Sequence, residues 1–84
     1  MPHVLMYTKT YCSYCKRARK LLERKGIDFT EVAVDHDRDS ERLMVERSRR
    51  HSVPQIFIDD RHIGGYTDLA ALDASGELDT LLGR

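Results

Sequence analysis

The sequence predicts an α/β protein with a four-stranded mixed sheet and helices on both faces. Strand-like and helix-like runs alternate in the order β-α-β-α-β-β-α. A strand–helix–strand unit at the start implies a parallel pair with a right-handed crossover, whereas two later strands lie close enough in sequence to form an antiparallel hairpin. The length of 84 residues suits one small domain, expected over residues 1–84.

The first half of the chain predicts strand, helix and strand. His3–Thr8 is short, apolar and bounded by polar residues, as is typical of a buried strand. From Ser13 onward, apolar residues recur at helical spacing with Lys and Arg between them, and Gly26 marks the stop. Phe29–Val34 is rich in β-branched and aromatic residues and predicts the second strand.

The second half predicts a helix, a hairpin and a helical end. Asp35–Asp39 is a polar connection that ends in capping residues, and the helix after it is expected to run to about Arg50. The hairpin strands are predicted at Gln55–Ile58 and His62–Ile63, and a Gly-Gly pair ends the hairpin.

The C-terminal segment predicts two helical stretches. Thr67 and Asp68 are expected to cap the first of them. The last stretch is short and carries Leu78, Leu81 and Leu82.

Cys12 and Cys15, the only cysteines, predict a redox active site at the start of the first helix. They lie one turn apart on one face, so their sulfurs can meet in a disulfide. The free N–H groups and the positive end of a helix favour an anion, and Lys9 adds positive charge, so Cys12 is expected to attack as a thiolate. Cys15 lies deeper, is expected to stay protonated, and is the candidate resolving sulfur.

Two other interpretations of the cysteine pair fit the sequence less well. A structural zinc site needs a second pair of ligands at close spacing, and the four histidines are scattered. Two inert buried cysteines are disfavoured by the polar Ser13 and the basic flanking residues. No metal is therefore expected.

The charge balance gives no indication of binding to nucleic acid or membrane. Fourteen Lys and Arg residues match fourteen Asp and Glu residues. No apolar signal region precedes the first predicted strand, and no run is long enough to cross a bilayer. We therefore expect a cytoplasmic protein, in a compartment where a lone cysteine pair is more often catalytic than structural.

Three segments in order resemble glutaredoxins: YTKTYCSYC (7–15), SVPQIFID (52–59) and HIGGYTDL (62–69). They look like the active-site loop, the cis-proline loop and the glutathione-binding turn of small bacterial dithiol glutaredoxins. The resemblance implies a thioredoxin fold and glutathione-dependent reduction of protein disulfides and glutathione mixed disulfides. It also implies a monomer whose partners are glutathione, as co-substrate, and disulfide or glutathionylated client proteins, ribonucleotide reductase being one example.

The resemblance also implies a glutathione site. Val53, before a cis bond to Pro54, offers its backbone to the cysteinyl part of glutathione. Without the resemblance, Pro54 fits equally well an ordinary proline in an edge strand. Lys9 and Tyr14 correspond to residues that meet the glycyl carboxylate and flank the sulfur.

The resemblance implies the remaining glutathione contacts in the third matching segment, residues 62–69, after its Gly-Gly pair. The N–H groups of Thr67 and Asp68 hold the α-carboxylate of the γ-glutamyl group, and the Asp68 carboxylate pairs with its ammonium. The alternative is that both residues only cap the helix.

Two departures from the family pattern stand out. Ser13 replaces the common proline, and related plant proteins with a similar site hold a [2Fe–2S] cluster between two subunits through the first cysteine and glutathione, so cluster binding at Cys12 stays an alternative. Arg49 stands where the family often has glycine, inside the basic cluster Arg47–His51. That cluster is interpreted as a solvated helix end, or as a surface that steers anionic glutathione or an acidic partner.

Overall fold

The computed structural model describes residues 2–84, in which the predicted order of elements is confirmed, including the short helical stretch at the end. The elements are β1 (Val4–Thr8), α1 (Ser13–Arg24), β2 (Thr30–Ala33), α2 (Arg38–Ser48), β3 (Gln55–Ile58), β4 (Arg61–Gly64), α3 (Tyr66–Ser75) and α4 (Glu77–Leu81).

The four strands form one mixed sheet in the order β2-β1-β3-β4. β1 is parallel to β2, with Thr8 opposite Ala33, and antiparallel to β3, with Tyr7 opposite Gln55. β3 and β4 form the predicted hairpin, with a register shift between Ile56 and Phe57 where β4 contains one extra residue, Ile63. The predicted four-stranded mixed sheet is confirmed.

Helices cover both faces of this sheet. Side chains alternate between the faces along a strand, so β1 sends Met6 to one side and Tyr7 to the other. The larger cluster joins the sheet to α1, α3 and α4 and is built from Val4, Met6, Ala18, Leu21, Leu22, Ile27, Ile56, Ile58, Leu69, Leu78 and Leu82. The smaller cluster lies under α2 and consists of Tyr7, Val34, Met44 and Phe57.

Helix α2 ends earlier than predicted. Asp37 caps its start, because its carboxylate accepts hydrogen bonds from the backbone N–H groups of Asp39 and Ser40 at 3.1 and 3.4 Å. The last helical residue is Ser48, and Arg49 adopts a left-handed conformation with φ of 61°. The predicted end near Arg50 was therefore two residues too late.

The start of α3 also differs from the prediction. Its N-cap is Gly65, so the expectation that Thr67 and Asp68 cap the helix was wrong for Thr67 and is confirmed for Asp68. Asp68 is the third helical residue, and its carboxylate caps the helix start by accepting a hydrogen bond from the Gly65 N–H at 3.0 Å. Gly64 precedes the turn with φ of 120°, and a Cβ there would collide with the Asp68 side chain.

An ion-pair cluster ties the end of α1 to the C-terminal helices. The Lys25 ammonium lies 2.8 Å from the Asp73 carboxylate and 3.2 Å from that of Asp79. The Arg84 guanidinium donates to the Lys25 carbonyl at 2.7 Å.

Within residues 2–84, none of the helices has the length and apolar character that crossing a membrane requires.

We expect Arg49→Gly to stabilise the protein. A left-handed conformation costs a residue with a side chain about 1–2 kcal/mol, partly offset by the roughly 0.5–1 kcal/mol of extra unfolded-state freedom that glycine brings. The expected net gain is about 0.5–1 kcal/mol in the free energy of unfolding, measured by urea titration with circular dichroism. Arg49→Ala is the control, because it keeps the left-handed strain. A glycine variant no more stable than the alanine variant would contradict this account.

Candidate active site

Cys12 caps helix α1 with its sulfur. The residue is extended, and its Sγ accepts a hydrogen bond from the backbone N–H of Cys15 at 3.1 Å, as a serine or aspartate oxygen does at other helix starts. The Cys12 carbonyl accepts the first helical bond, from the Lys16 N–H at 3.1 Å. The sulfur is half-buried and lies where the open N–H groups of the helix favour negative charge.

The loop before Cys12 is anchored to the next crossover. The Thr10 N–H donates to the Asp35 carboxylate at 2.9 Å, and this bond is the main reason why the pKa of Asp35 is lowered. The anchor follows from the sheet, because β1 and β2 are parallel and end side by side. The sequence predicts Asp35 only as part of a polar connection, and this role in the site was not predicted.

Cys15 is buried beneath Cys12, with 1% of its surface exposed. Burial, followed by its hydrogen bond with the Cys12 side chain, raises the pKa of Cys15 to about 12. It is therefore a protonated thiol at neutral pH. The two cysteines lie together but in different environments, one reachable from solvent and the other enclosed.

A charged group lies one turn beyond Cys15 and was not singled out from the sequence. The Arg19 guanidinium binds the Glu31 carboxylate through two hydrogen bonds of 2.9 and 2.6 Å. The buried Thr8 hydroxyl donates to the same carboxylate at 2.9 Å. The Arg19 charge acts on Cys15 in the direction that lowers its pKa, against the effect of burial.

The Val53–Pro54 peptide bond is cis, and its loop faces the active-site sulfur. The Val53 carbonyl oxygen lies 3.8 Å from Cys12 Sγ, and Pro54 is buried. Behind the loop, the buried Gln55 amide donates to the Ser52 carbonyl at 3.1 Å and its oxygen lies 2.7 Å from His62 Nε2. Burial lowers the pKa of His62, so this ring is neutral and carries its proton on Nε2, toward Gln55.

The start of α3 adjoins the same loop. A Cβ on Gly65 would lie 3.4 Å from the Pro54 carbonyl oxygen, so the two backbones are neighbours. The rings of Tyr66 and Tyr14 lie 6.4 Å apart between centroids, which brings α3 against the turn of Cys12. Thr67 and Asp68 are exposed in the first turn of this helix.

Asp68 is held by two donors. Its Oδ2 accepts from the Gly65 N–H at 3.0 Å and from the Arg50 guanidinium at 3.2 Å, and these bonds lower its pKa, the Gly65 bond most. Neither bond uses Oδ1. Arg50 thus joins the site from the loop after α2; its basic cluster was considered as a surface that steers glutathione, but the pairing with Asp68 was not predicted.

The basic cluster at the end of α2 is only partly a solvated helix end. The Arg47 guanidinium packs 4.1 Å from the centroid of the Phe57 ring and donates to the Tyr7 hydroxyl at 3.2 Å. Arg50 pairs with Asp68, while Arg49 and His51 are exposed. The interpretation as a solvated end was therefore wrong for Arg47.

The two remaining predicted residues flank the site. Tyr14 is 53% exposed and lies between Tyr66 and the Arg17 guanidinium, which is 5.3 Å from its ring centroid. The Lys9 ammonium lies 4.0 Å from the Glu41 carboxylate on α2. In the described part of the chain, no three His, Cys, Asp or Glu side chains come together as a metal site.

Comparisons with known proteins agree with this geometry. A family model described as Glutaredoxin matches residues 4–63. Glutaredoxin 3 of Escherichia coli (strain K12) is 52% identical over 82 residues, covering 98% of this chain and 99% of the relative. The solution structure of glutaredoxin from Brucella melitensis has a TM-score of 0.86 and 45% identity, covering 100% of this chain and 94% of that one. A buckwheat glutaredoxin–glutathione complex has a TM-score of 0.88 and 27% identity, covering 98% and 77%.

The sheet and flanking helices are therefore the thioredoxin fold, and the chain belongs to the glutaredoxin family of thiol-disulfide oxidoreductases.

Proposed function

We propose that this protein reduces protein disulfides and glutathione mixed disulfides at the expense of glutathione, with Cys12 as nucleophile and Cys15 as resolving cysteine. The observation that carries the proposal is the difference between the two sulfurs. Cys12 Sγ is half-exposed and receives an N–H at 3.1 Å, whereas Cys15 is enclosed and its pKa is raised to about 12. An incoming disulfide therefore meets one reactive sulfur.

The proposed reaction is a pair of thiol exchanges. The Cys12 thiolate attacks the glutathione sulfur of a mixed disulfide, forming Cys12–S–S–glutathione and releasing the client as a thiolate. A second glutathione thiolate then attacks that glutathione sulfur, releasing oxidised glutathione and regenerating the Cys12 thiolate. Alternatively, Cys15 loses its proton and attacks Cys12, closing the intramolecular disulfide and releasing glutathione, and two further glutathione molecules reduce that disulfide.

The groups around Cys12 match the chemistry of glutathione. The Val53 carbonyl oxygen lies 3.8 Å from the sulfur, so the backbone of Val53 is placed to pair with the cysteinyl residue of a peptide. The first turn of α3 offers free N–H groups at Thr67 and Asp68 to an α-carboxylate. Asp68 Oδ1 is left for the ammonium, and Arg50 adds a cation beside the carboxylate. The buckwheat relative solved with glutathione supports this choice of ligand.

Lys9 and Tyr14 complete the proposed site. Lys9 is free to leave its 4.0 Å contact with Glu41 for the glycyl carboxylate, since that contact is long and exposed. Tyr14 covers one side of the sulfur-bound peptide. We propose a monomer that acts in the cytoplasm, where cysteine pairs stay reduced, without nucleic acid or membrane partners.

A second candidate function is [2Fe–2S] cluster binding between two copies of the chain. Only Cys12 of each copy is accessible, because Cys15 is buried, so two copies and two glutathione thiols would supply the four ligands. Ser13 in place of proline is compatible with this arrangement. Such a cluster would serve iron–sulfur transfer instead of disulfide reduction.

The different roles of the two cysteines predict that their serine variants differ in activity. Cys12→Ser should abolish glutathione-coupled reduction of a small glutathione mixed disulfide, because no nucleophile remains at the helix start. Cys15→Ser should stay within about threefold of wild type on this substrate, since glutathione can attack Cys12–S–S–glutathione directly. The measurement is oxidised glutathione formation, coupled to its reductase. Activity that survives Cys12→Ser would reverse the assignment.

The raised pKa of Cys15 predicts selective alkylation of the folded, reduced protein. At pH 7 the thiolate fraction of a thiol with pKa about 12 is roughly one in 10⁵, so only Cys12 should react quickly with iodoacetamide. Mass spectrometry should find one adduct in native protein and two after unfolding. Cys12→Ser is the control, because it presents Cys15 alone and should resist alkylation while folded. Equal rates at both cysteines would contradict the buried, protonated state of Cys15.

Neutralising Asp68 should weaken glutathione binding. Asp68→Asn keeps an acceptor for the Gly65 N–H but loses the charge that faces the ammonium, so the KM for glutathione should rise about three- to tenfold with little change in stability. Asp60→Asn removes an exposed carboxylate from the β3–β4 turn at the opposite end of the sheet and is the matched control. An unchanged KM in Asp68→Asn would remove Asp68 from the proposed site.

The cluster alternative predicts colour. Protein purified without oxygen in the presence of glutathione should show visible absorbance bands and a dimer mass, both lost in Cys12→Ser. Colourless monomeric protein, after attempted reconstitution with iron and sulfide, would reject cluster binding.

A further inference from the structure

The solvent-facing side of α1 is strongly basic and begins at the active site. Arg17, Lys20 and Arg24 follow one another at helical spacing after Cys12, and Lys16 lies beside them. All four side chains are exposed, on the side of the helix opposite its buried residues. Because the whole chain has a net charge of zero, this face is a local positive region on a neutral protein.

In the part of the chain that the structure describes, these positive charges have no ion-pair partner, and the one carboxylate on α1, the exposed Glu23, lies three residues after Lys20. Among the residues that the structure describes, no carboxylate lies within 4 Å of the charged groups of Lys16, Arg17 or Lys20, in contrast to Arg19, which binds Glu31. The pair Lys16 and Lys20 stands at i, i+4, a spacing at which like charges destabilise a helix. An anionic partner would remove this repulsion.

Two tyrosines extend the basic face around the sulfur. Tyr11, immediately before Cys12, is 98% exposed, the highest exposure among the large apolar side chains described. Tyr14 is held between the Arg17 guanidinium and the Tyr66 ring. Exposed aromatic and arginine side chains are the residue types that most often anchor protein interfaces.

We propose that Tyr11, Lys16, Arg17 and Lys20, the α1 docking surface, bind client polypeptides that carry acidic side chains near the reactive cysteine. The proposal rests on the proposed function and specifies its substrate class. Positive charge beside the sulfur would speed encounters with such clients and orient them, and Tyr11 would pack on the client backbone regardless of its charge.

The helix geometry sets the position of the acidic side chains. Lys20 lies eight residues after Cys12, about 12 Å along the helix axis at about 1.5 Å per residue. An extended client strand covers that distance in about four residues at about 3.3 Å each. The favoured acidic positions are therefore about two to five residues from the client cysteine.

The test uses the full chain and two glutathionylated peptides that differ only at these positions, one with Asp and Glu and the other with Lys. Wild type should have a kcat/KM about tenfold higher for the acidic peptide at low salt, and the ratio should fall toward one near about 1 M salt, where the Debye length is about 3 Å. The Lys16→Gln, Lys20→Gln double variant should lose about fivefold on the acidic peptide and nothing on a small glutathione mixed disulfide.

Two control variants separate the effect of positive charge beside Cys12 from two other effects: the loss of positive charge elsewhere and the loss of contact area. Arg61→Gln removes one positive charge from the start of β4, at the end of the sheet away from Cys12, and should leave the acidic preference unchanged. Tyr11→Ser should lower kcat/KM for both peptides alike, because it removes contact area without changing charge.

The outcomes distinguish this inference from the function on which it rests. Wild type that reduces the small mixed disulfide but treats both peptides equally would overturn the docking surface alone. Wild type that fails on the small mixed disulfide would overturn the proposed function. A single-stranded oligonucleotide and an unreactive acidic peptide of equal charge can each be added as inhibitors of the reduction of the glutathionylated acidic peptide. Stronger inhibition by the oligonucleotide would assign the surface to nucleic acid and would also overturn the proposal.

Discussion

The hydrogen bond from the Cys15 N–H to Cys12 Sγ is the contact on which the rest of the site depends. It exists because α1 begins at Ser13, which leaves the sulfur in the position of a capping atom. The same helix turns Cys15 toward the sheet, where burial keeps it protonated. One local structure thus gives two identical side chains opposite properties, through an N–H group for one and desolvation for the other.

The topology of the sheet brings the other parts of the site to this contact. β1 and β2 are parallel and end at the same edge, so Asp35 can hold the loop before Cys12. β3 runs in the opposite direction and begins at that edge, directly after the Val53–Pro54 loop. β4 returns to the edge and delivers the chain to the start of α3. Three segments distant in sequence therefore meet around one sulfur.

The sequence by itself determined the order of the elements and the location of the chemistry. Local patterns sufficed here, because helical spacing after Ser13, the short hairpin at Gln55–Ile58 and the C-x-x-C pair each depend on neighbouring residues. The glutathione residues, by contrast, came from the three matching segments and not from periodicity. The placement of Cys12 at a helix start was predictable because the helical spacing of apolar residues begins at Ser13, within the C-x-x-C pair.

The tertiary structure alone decided which charges act at the site. Arg50, predicted in a solvated helix end, reaches Asp68, and Arg19 reaches Glu31 through a pairing of β1 with β2. These partners are 12 to 18 residues apart, so no local pattern records them. The early end of α2 is a local effect, because Arg49 takes a left-handed conformation that glycine usually supplies. Long-range packing, which residue spacing does not encode, set the charge pairs.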